Sequence, residues 1–205
     1  RRAEHDVGDP DMIRLALLRH GHTAWNRAGR IQGRTDIPLD AEARAHLAAL
    51  CLPDDWRQAD VVASPLSRAM ETAAIVTDGT ARAEPALMEM DWGAWEGGHG
   101  IALKADPASG FRDIEHWGWD YCPPQGETPN DLRARLRPWV HGLTRDTIAV
   151  CHIGVMRVLM AMATGWDFDG PAPFVIKRDR LFILHIDGPD VTATPTPQRL
   201  DRRAP

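Results

Sequence analysis

Apolar residues stand on both faces of three short runs along the chain. In the first, Ile13, Leu15 and Leu17 alternate with Ala16 and Leu18, so a strand over 13–19 has no polar side. Such strands sit centrally, covered by helices above and below, as in parallel sheets. Val61, Val62 and Ala63 after Asp60, and the run from Thr147 to Cys151, repeat the pattern. Apolar positions between the strands recur at helical spacing. One helix is predicted from an Asp40 N-cap through Cys51, with Ala43, Leu47 and Leu50 buried and Pro53 as its stop. A second starts at Ser64 as N-cap with Pro65 at its first position and ends before Gly79. A third has Thr128 as N-cap, Pro129 first and Asp131 in the box position, with Leu132, Leu136, Val140 and Leu143 on one face. Pro138 inside it removes a hydrogen bond, at ~3 kcal/mol, and predicts a kink. A fourth runs from Val155 to Gly165, and the β-rich stretches 174–176 and 181–186 predict a hairpin or an edge pairing.

Strands alternating with helices predict an α/β fold, and 205 residues suit one domain with a full core. The segment 23–39 is polar and punctuated by glycine, a long loop of the functional kind. Residues 98–126 are rich in glycine, proline and aromatics without periodicity, and predict a lid inserted over the sheet edge. The ends, 1–11 and 195–205, are expected to be flexible.

Composition narrows the function. The hydrophobic content of 43% and charged content of 26% are those of an ordinary folded protein. A net charge of −5 with dispersed arginines argues against a nucleic-acid binder and leaves room for a local cationic pocket. Cys51, Cys122 and Cys151 are too far apart for a disulfide framework or a paired metal site, and suit a reducing, cytoplasmic setting. None of the nine histidines falls in a metal-ligand spacing, so no metal and no cofactor are expected. No run approaches the ~20 apolar residues of a membrane span.

Chemistry gathers where the apolar runs stop. The first ends at Arg19-His20-Gly21, the second at Ser64 with Arg68 just beyond, the third at His152. In open parallel sheets ligands collect beyond the carboxyl ends of the strands. If the three are neighbours, two guanidiniums and two imidazoles meet on one rim. That set matches a phosphoryl dianion, whose oxygens take arginine forks and whose transition state spreads negative charge.

These residues lie in ordered motifs: Arg19-His20-Gly21, Ser64-Pro65-Leu66-x-Arg68-Ala69-x-Glu71-Thr72, Glu89-Met90-Asp91-Trp92-Gly93-x-Trp95-Glu96-Gly97, and His152. With Thr23, Trp25-Asn26, Gln32-Gly33 and Asp36-x-Pro38-Leu39, they make the chain resemble the histidine phosphatase superfamily, in its phosphoglycerate mutase-like branch, which includes small phosphatases such as α-ribazole phosphatases. The resemblance implies a three-layer α/β/α sandwich with a mostly parallel central sheet. It implies that His20 is the nucleophile and becomes phosphohistidine, and that Glu89 protonates the leaving oxygen and later activates water. Arg19, Arg68 and His152, with Asn26 and Thr23 as further donors, would bind the phosphoryl group. Family members often carry glycine after the second histidine; Ile153 here would narrow the pocket and bear on substrate size.

The implied activity is metal-independent hydrolysis of a small phosphorylated metabolite. A cofactor-dependent phosphoglycerate mutase is the near alternative, although the sequence around Glu89 is phosphatase-like. A module that binds a phospho-ligand without turning it over would have lost a catalytic residue, and all those expected are present. Trp92, Trp95, Trp117 and Trp119 are expected to serve packing more than ligand stacking.

Overall fold

The computed structural model describes residues 12–204, so the flexible end expected at 1–11 lies outside the described residues. In chain order the elements are β1 (Ile13–Arg19), α1 (Ala24–Arg27), α2 (Ala41–Ala48), β2 (Leu50–Cys51), β3 (Asp60–Ala63), α3 (Ser67–Thr77) and β4 (Arg82–Ala83). There follow α4 (Gly100–Ala105), α5 (Pro129–His141), β5 (Thr147–Cys151), α6 (Ile153–Thr164), β6 (Arg180–Asp187), β7 (Asp190–Ala193), β8 (Gln198–Arg199) and β9 (Asp201–Arg202). The main sheet has the order β4-β3-β5-β1-β6-β7, with β8 also on β6. Its β4, β3, β5 and β1 are mutually parallel, and β6 and β7 are antiparallel additions.

The two-faced apolar pattern of β1 is what places it centrally. Leu15 and Leu17 join one core with α5 and α6, while Ala16 and Leu18 join the other with α2 and α3. All five residues of β5 are buried, as expected for the strand between β3 and β1. The result is a mixed α/β fold with helices on both faces of the sheet.

Several boundaries differ from the sequence expectation. The second helix stops at Ala48, because Leu50 and Cys51 pair with Arg202 and Asp201. That pairing also corrects the expected loose tail at 195–205. Leu200 is buried, Trp56 donates to Gln198 at 2.9 Å, and Arg203 donates to Leu50 O and Ile75 O, both at 2.9 Å. The third helix begins at Ser67, capped by no side chain, because Ser64 is engaged elsewhere. α5 has the predicted Thr128 and Asp131 capping box and runs through Pro138 to His141. The stretch 174–176 forms no strand, and β6 turns back into β7 instead. Within 98–126, Trp117 enters the main core beside Trp92 and Trp95, and Tyr121 packs on both Trp95 and Trp117. These rings pack against one another as the sequence suggested.

Candidate active site

β3, β5 and β1 lie side by side, in register at Ala63↔Val150 and Arg19↔Cys151. The ladder continues one residue further, with His20 N donating to Cys151 O at 3.0 Å and Ser64 N to Val150 O at 2.9 Å. The three strand ends singled out in the sequence are therefore one edge of one sheet, and His20, Ser64 and His152 stand together on it.

The histidines differ in what they are given. His20 is buried and its Nδ1 lies 2.6 Å from Gly21 O, a partner that can only accept. Nδ1 therefore carries the proton and Nε2 keeps its lone pair. Burial pushes the His20 pKa well below its ordinary value, helped by Arg68 and Arg19, so the ring is neutral at neutral pH. The His152 ring centre lies 5.2 Å away. Its Nε2 is 2.7 Å from Ser64 Oγ, which also receives Leu66 N at 3.4 Å. Among the described residues the serine proton has no acceptor other than that nitrogen, and accepting it places the His152 proton on Nδ1, which is buried and unpartnered there. Burial lowers the His152 pKa as well, with His20, Arg68 and Arg19 beside it.

Three guanidiniums, of Arg68, Arg19 and Arg178, act on His20. Arg68, fully buried, is clamped by Thr35 O at 3.0 Å and Gly33 O at 2.6 Å. That loop is held in turn by Glu96, which takes Arg34 N at 2.8 Å, Thr35 N at 3.0 Å and the Thr35 hydroxyl at 2.5 Å. A Cβ on Gly33 would fall 2.0 Å from Glu96 Oε1, so only glycine admits the carboxylate. Arg178 donates Nε to His20 O and a terminal nitrogen to Asn26 Oδ1, each at 3.0 Å. Burial first, and then Arg178 and Arg157, lower Arg19 to a pKa of about 9, still a cation at neutral pH. The Nε atoms of Arg19 and Arg68 are buried without a partner among the described residues. Together with His152 Nδ1 they form a set of inward donors that an anion would satisfy.

Glu89 reaches this cluster from the connection after β4. It sits on the α6 N-terminus, taking Gly154 N at 3.1 Å, Val155 N at 3.3 Å and its neighbour Met90 N at 2.8 Å. Burial raises its pKa, against the pull of those N–H groups and of Arg68 and Arg157. Gly154 makes the approach possible, since a Cβ there would lie 2.4 Å from Glu89 Oε1.

Of the residues expected at the site, Arg19, His20, Arg68, Glu89 and His152 come together. Thr23 and Asn26 flank them with a different emphasis. The Thr23 hydroxyl donates to Gln32 Oε1 at 2.8 Å and caps Asn26 N at 3.2 Å, so its proton is committed. Asn26 Nδ2 also donates to Gln32 Oε1, at 3.1 Å, leaving one amide hydrogen. Gln32 Nε2 is buried without a partner among the described residues. Sequence reasoning missed Arg178, Arg157 and the bond from Ser64. Arg178 lies in an aperiodic loop and gave no signal. Arg157 did give one, as the only charge in the apolar helix α6. Among the described residues no three His, Cys, Asp or Glu side chains gather as a metal set.

Known proteins are similar to this chain in sequence and in fold. The family model of the histidine phosphatase superfamily (branch 1) matches residues 15–194. The chain is 31% identical over 132 residues to a protein named "Probable phosphoglycerate mutase GpmB" of Enterobacter sp. (strain 638), covering 62% of this chain and 60% of that one. It is 30% identical over 177 residues to a glucosyl-3-phosphoglycerate phosphatase of Mycolicibacterium vanbaalenii, covering 76% of each. Among solved structures, a phosphoglycerate mutase from Thermus thermophilus superposes with a TM-score of 0.66 at 30% identity, over 92% of this chain and 100% of that one. The chain belongs to the histidine phosphatase superfamily, branch 1.

Proposed function

We propose that the protein hydrolyses a small phosphomonoester through a phosphohistidine on His20, without a metal ion. The observation that carries this reading is the hydrogen bond from His20 Nδ1 to Gly21 O, which leaves a neutral ring with Nε2 as nucleophile. Nε2 attacks phosphorus and the bond to the ester oxygen breaks. The raised pKa of Glu89 suits it to give that oxygen its proton. Arg19, Arg68, His152 Nδ1 and the Asn26 and Gln32 amides hold the three equatorial oxygens as charge spreads. The Glu89 carboxylate then takes a proton from water, which attacks phosphohistidine and restores His20.

A mutase-type phosphotransferase is the second reading, favoured by the relative that bears that name. It shares the phosphohistidine and differs only in what accepts the phosphoryl group. Phosphate release from an aryl phosphate in the presence of chelator, lost in His20→Ala, is the expected result. Full turnover in that variant, or loss with chelator alone, would overturn the reading. Isomerisation of 3-phosphoglycerate primed with bisphosphoglycerate, outpacing hydrolysis of every ester tried, would favour the mutase.

A further inference from the structure

Beside the catalytic cluster a second pocket, of about 300 Å³, opens at the start of α6. Ile153 and Arg157, one helical turn apart, form one wall, and Ile114, Trp166, Phe174 and Ile176 make the lining mainly apolar. It adjoins the reaction centre through the chain itself. Ile153 follows His152, and the next two N–H groups hold Glu89.

Arg157 has no hydrogen bond or ion pair among the described residues, although its charge acts on Arg19 and on Glu89. Glu115 lines the same pocket and forms no ion pair with it. The Arg157 guanidinium lies half-buried in the pocket wall without a partner, and the shape of its fork suits a carboxylate. The walls around it suit a hydrocarbon surface better than a polyol, whose hydroxyl groups would lose water there without replacement.

We propose that this pocket receives the leaving group of the substrate, and that the substrate is the phosphate ester of a largely apolar alcohol or phenol bearing a carboxylate, which Arg157 takes up. The proposal rests on the phosphomonoesterase reading above and names its substrate class. Ile153 supplies hydrocarbon surface where a glycine would leave bare backbone, and so acts as a specificity residue. Arg157 touches the part of the substrate that does not react, so it acts on binding more than on chemistry.

Three esters separate the contributions: 2-naphthyl phosphate, its 6-carboxy derivative, and glycerol 2-phosphate. Comparing variant with wild type on each ester cancels differences in leaving-group reactivity. Arg157→Gln removes a charge that acts on Arg19 and Glu89, which lowers kcat/KM for all three esters alike, and is expected to lower it for the carboxynaphthyl ester roughly tenfold or more beyond that shared loss, mainly through KM. Ile153→Gly is expected to lower kcat/KM for both naphthyl esters about fivefold or more relative to the glycerol ester. Equal losses on all three esters, or none, would overturn the proposal, as would a lower wild-type KM for glycerol 2-phosphate than for the naphthyl esters. If the wild type turns over none of them, the hydrolase reading fails. Calorimetric binding of the carboxynaphthyl ester then still decides the pocket: weaker binding to Arg157→Gln supports it, and equal binding rejects it.

Discussion

Replacing Gly154 with alanine should damage the acid step and spare the rest of the site. In an ordinary helix interior this change stabilises by ~1 kcal/mol. Here the added Cβ would sit 2.4 Å from Glu89 Oε1, 3.1 Å from its Cδ and 3.2 Å from Met90 Cβ. The first distance is about 1 Å short of ordinary contact. Relief requires Glu89 to leave the N–H groups of Gly154 and Val155. Overpacking of this kind costs ~1–3 kcal/mol, which offsets the propensity gain and leaves the fold equal in stability or weaker. Displacing a catalytic group by ~1 Å costs on the order of 10²-fold in rate. A phenolate that leaves easily needs little protonation, whereas an alkoxide needs it fully. The expected outcome is a loss of about 10²-fold in kcat/KM for an alkyl phosphate, with a much smaller loss for 4-nitrophenyl phosphate. Steady-state kinetics on the two esters and a thermal melt read all of this. Equal losses on both esters, or a higher melting temperature with unchanged kinetics, would refute the reasoning.

The other expectations come from the same geometry. Ser64→Ala strips His152 Nε2 of its partner inside the protein, and urea unfolding should show a loss of ~1–3 kcal/mol; unchanged stability would remove the serine from the account. Arg178→Gln breaks two charge-assisted bonds, to His20 O and Asn26 Oδ1, each worth ~1.5–3 kcal/mol. Activity should drop at least tenfold, and Arg178→Lys should not restore it because one ammonium does not reproduce the fork; full rescue by lysine would contradict this. The pH profile follows from the shifted groups. His20 works neutral and its folded pKa is lowered, so the acid limb of kcat/KM should lie below the ordinary histidine value of 6.5. The raised Glu89 pKa keeps the acid form above 4.5 and should set the alkaline limb for alkyl esters, a limb absent in Glu89→Gln. An acid limb at 6.5, or an alkaline limb surviving in Glu89→Gln, would count against it. For stability, the unfolded histidines bind protons that buried His20 and His152 refuse. Their contribution is whole above 6.5 and declines as pH falls toward the folded values.

The central part of both the fold and the site could be read from the chain, because burial on two faces leaves a plain trace. β1, β3 and β5 were marked by apolar residues on both faces, and their ends marked the site. The predicted helix starts held where a local cap decides them, as at Asp40 and Thr128. They failed at Ser64, where a capping residue type serves a histidine 88 positions away. The tail misled for a similar reason. Its proline and arginine composition reads as loose, but Leu200 and Arg203 are held by contacts distant in sequence. Arg178 and the Gly33–Glu96 fit depend wholly on tertiary placement, so no local pattern announces them.

The claim on which the account turns is that His20 Nε2 carries the phosphoryl group. Rapid acid-free quenching with a radiolabelled ester, followed by peptide mapping, tests it directly. The expected result is label on the His20 peptide alone, stable in alkali and lost in acid, and absent from His20→Ala. Label on His152 or another residue, or undiminished turnover with no labelled protein at any time, would contradict it.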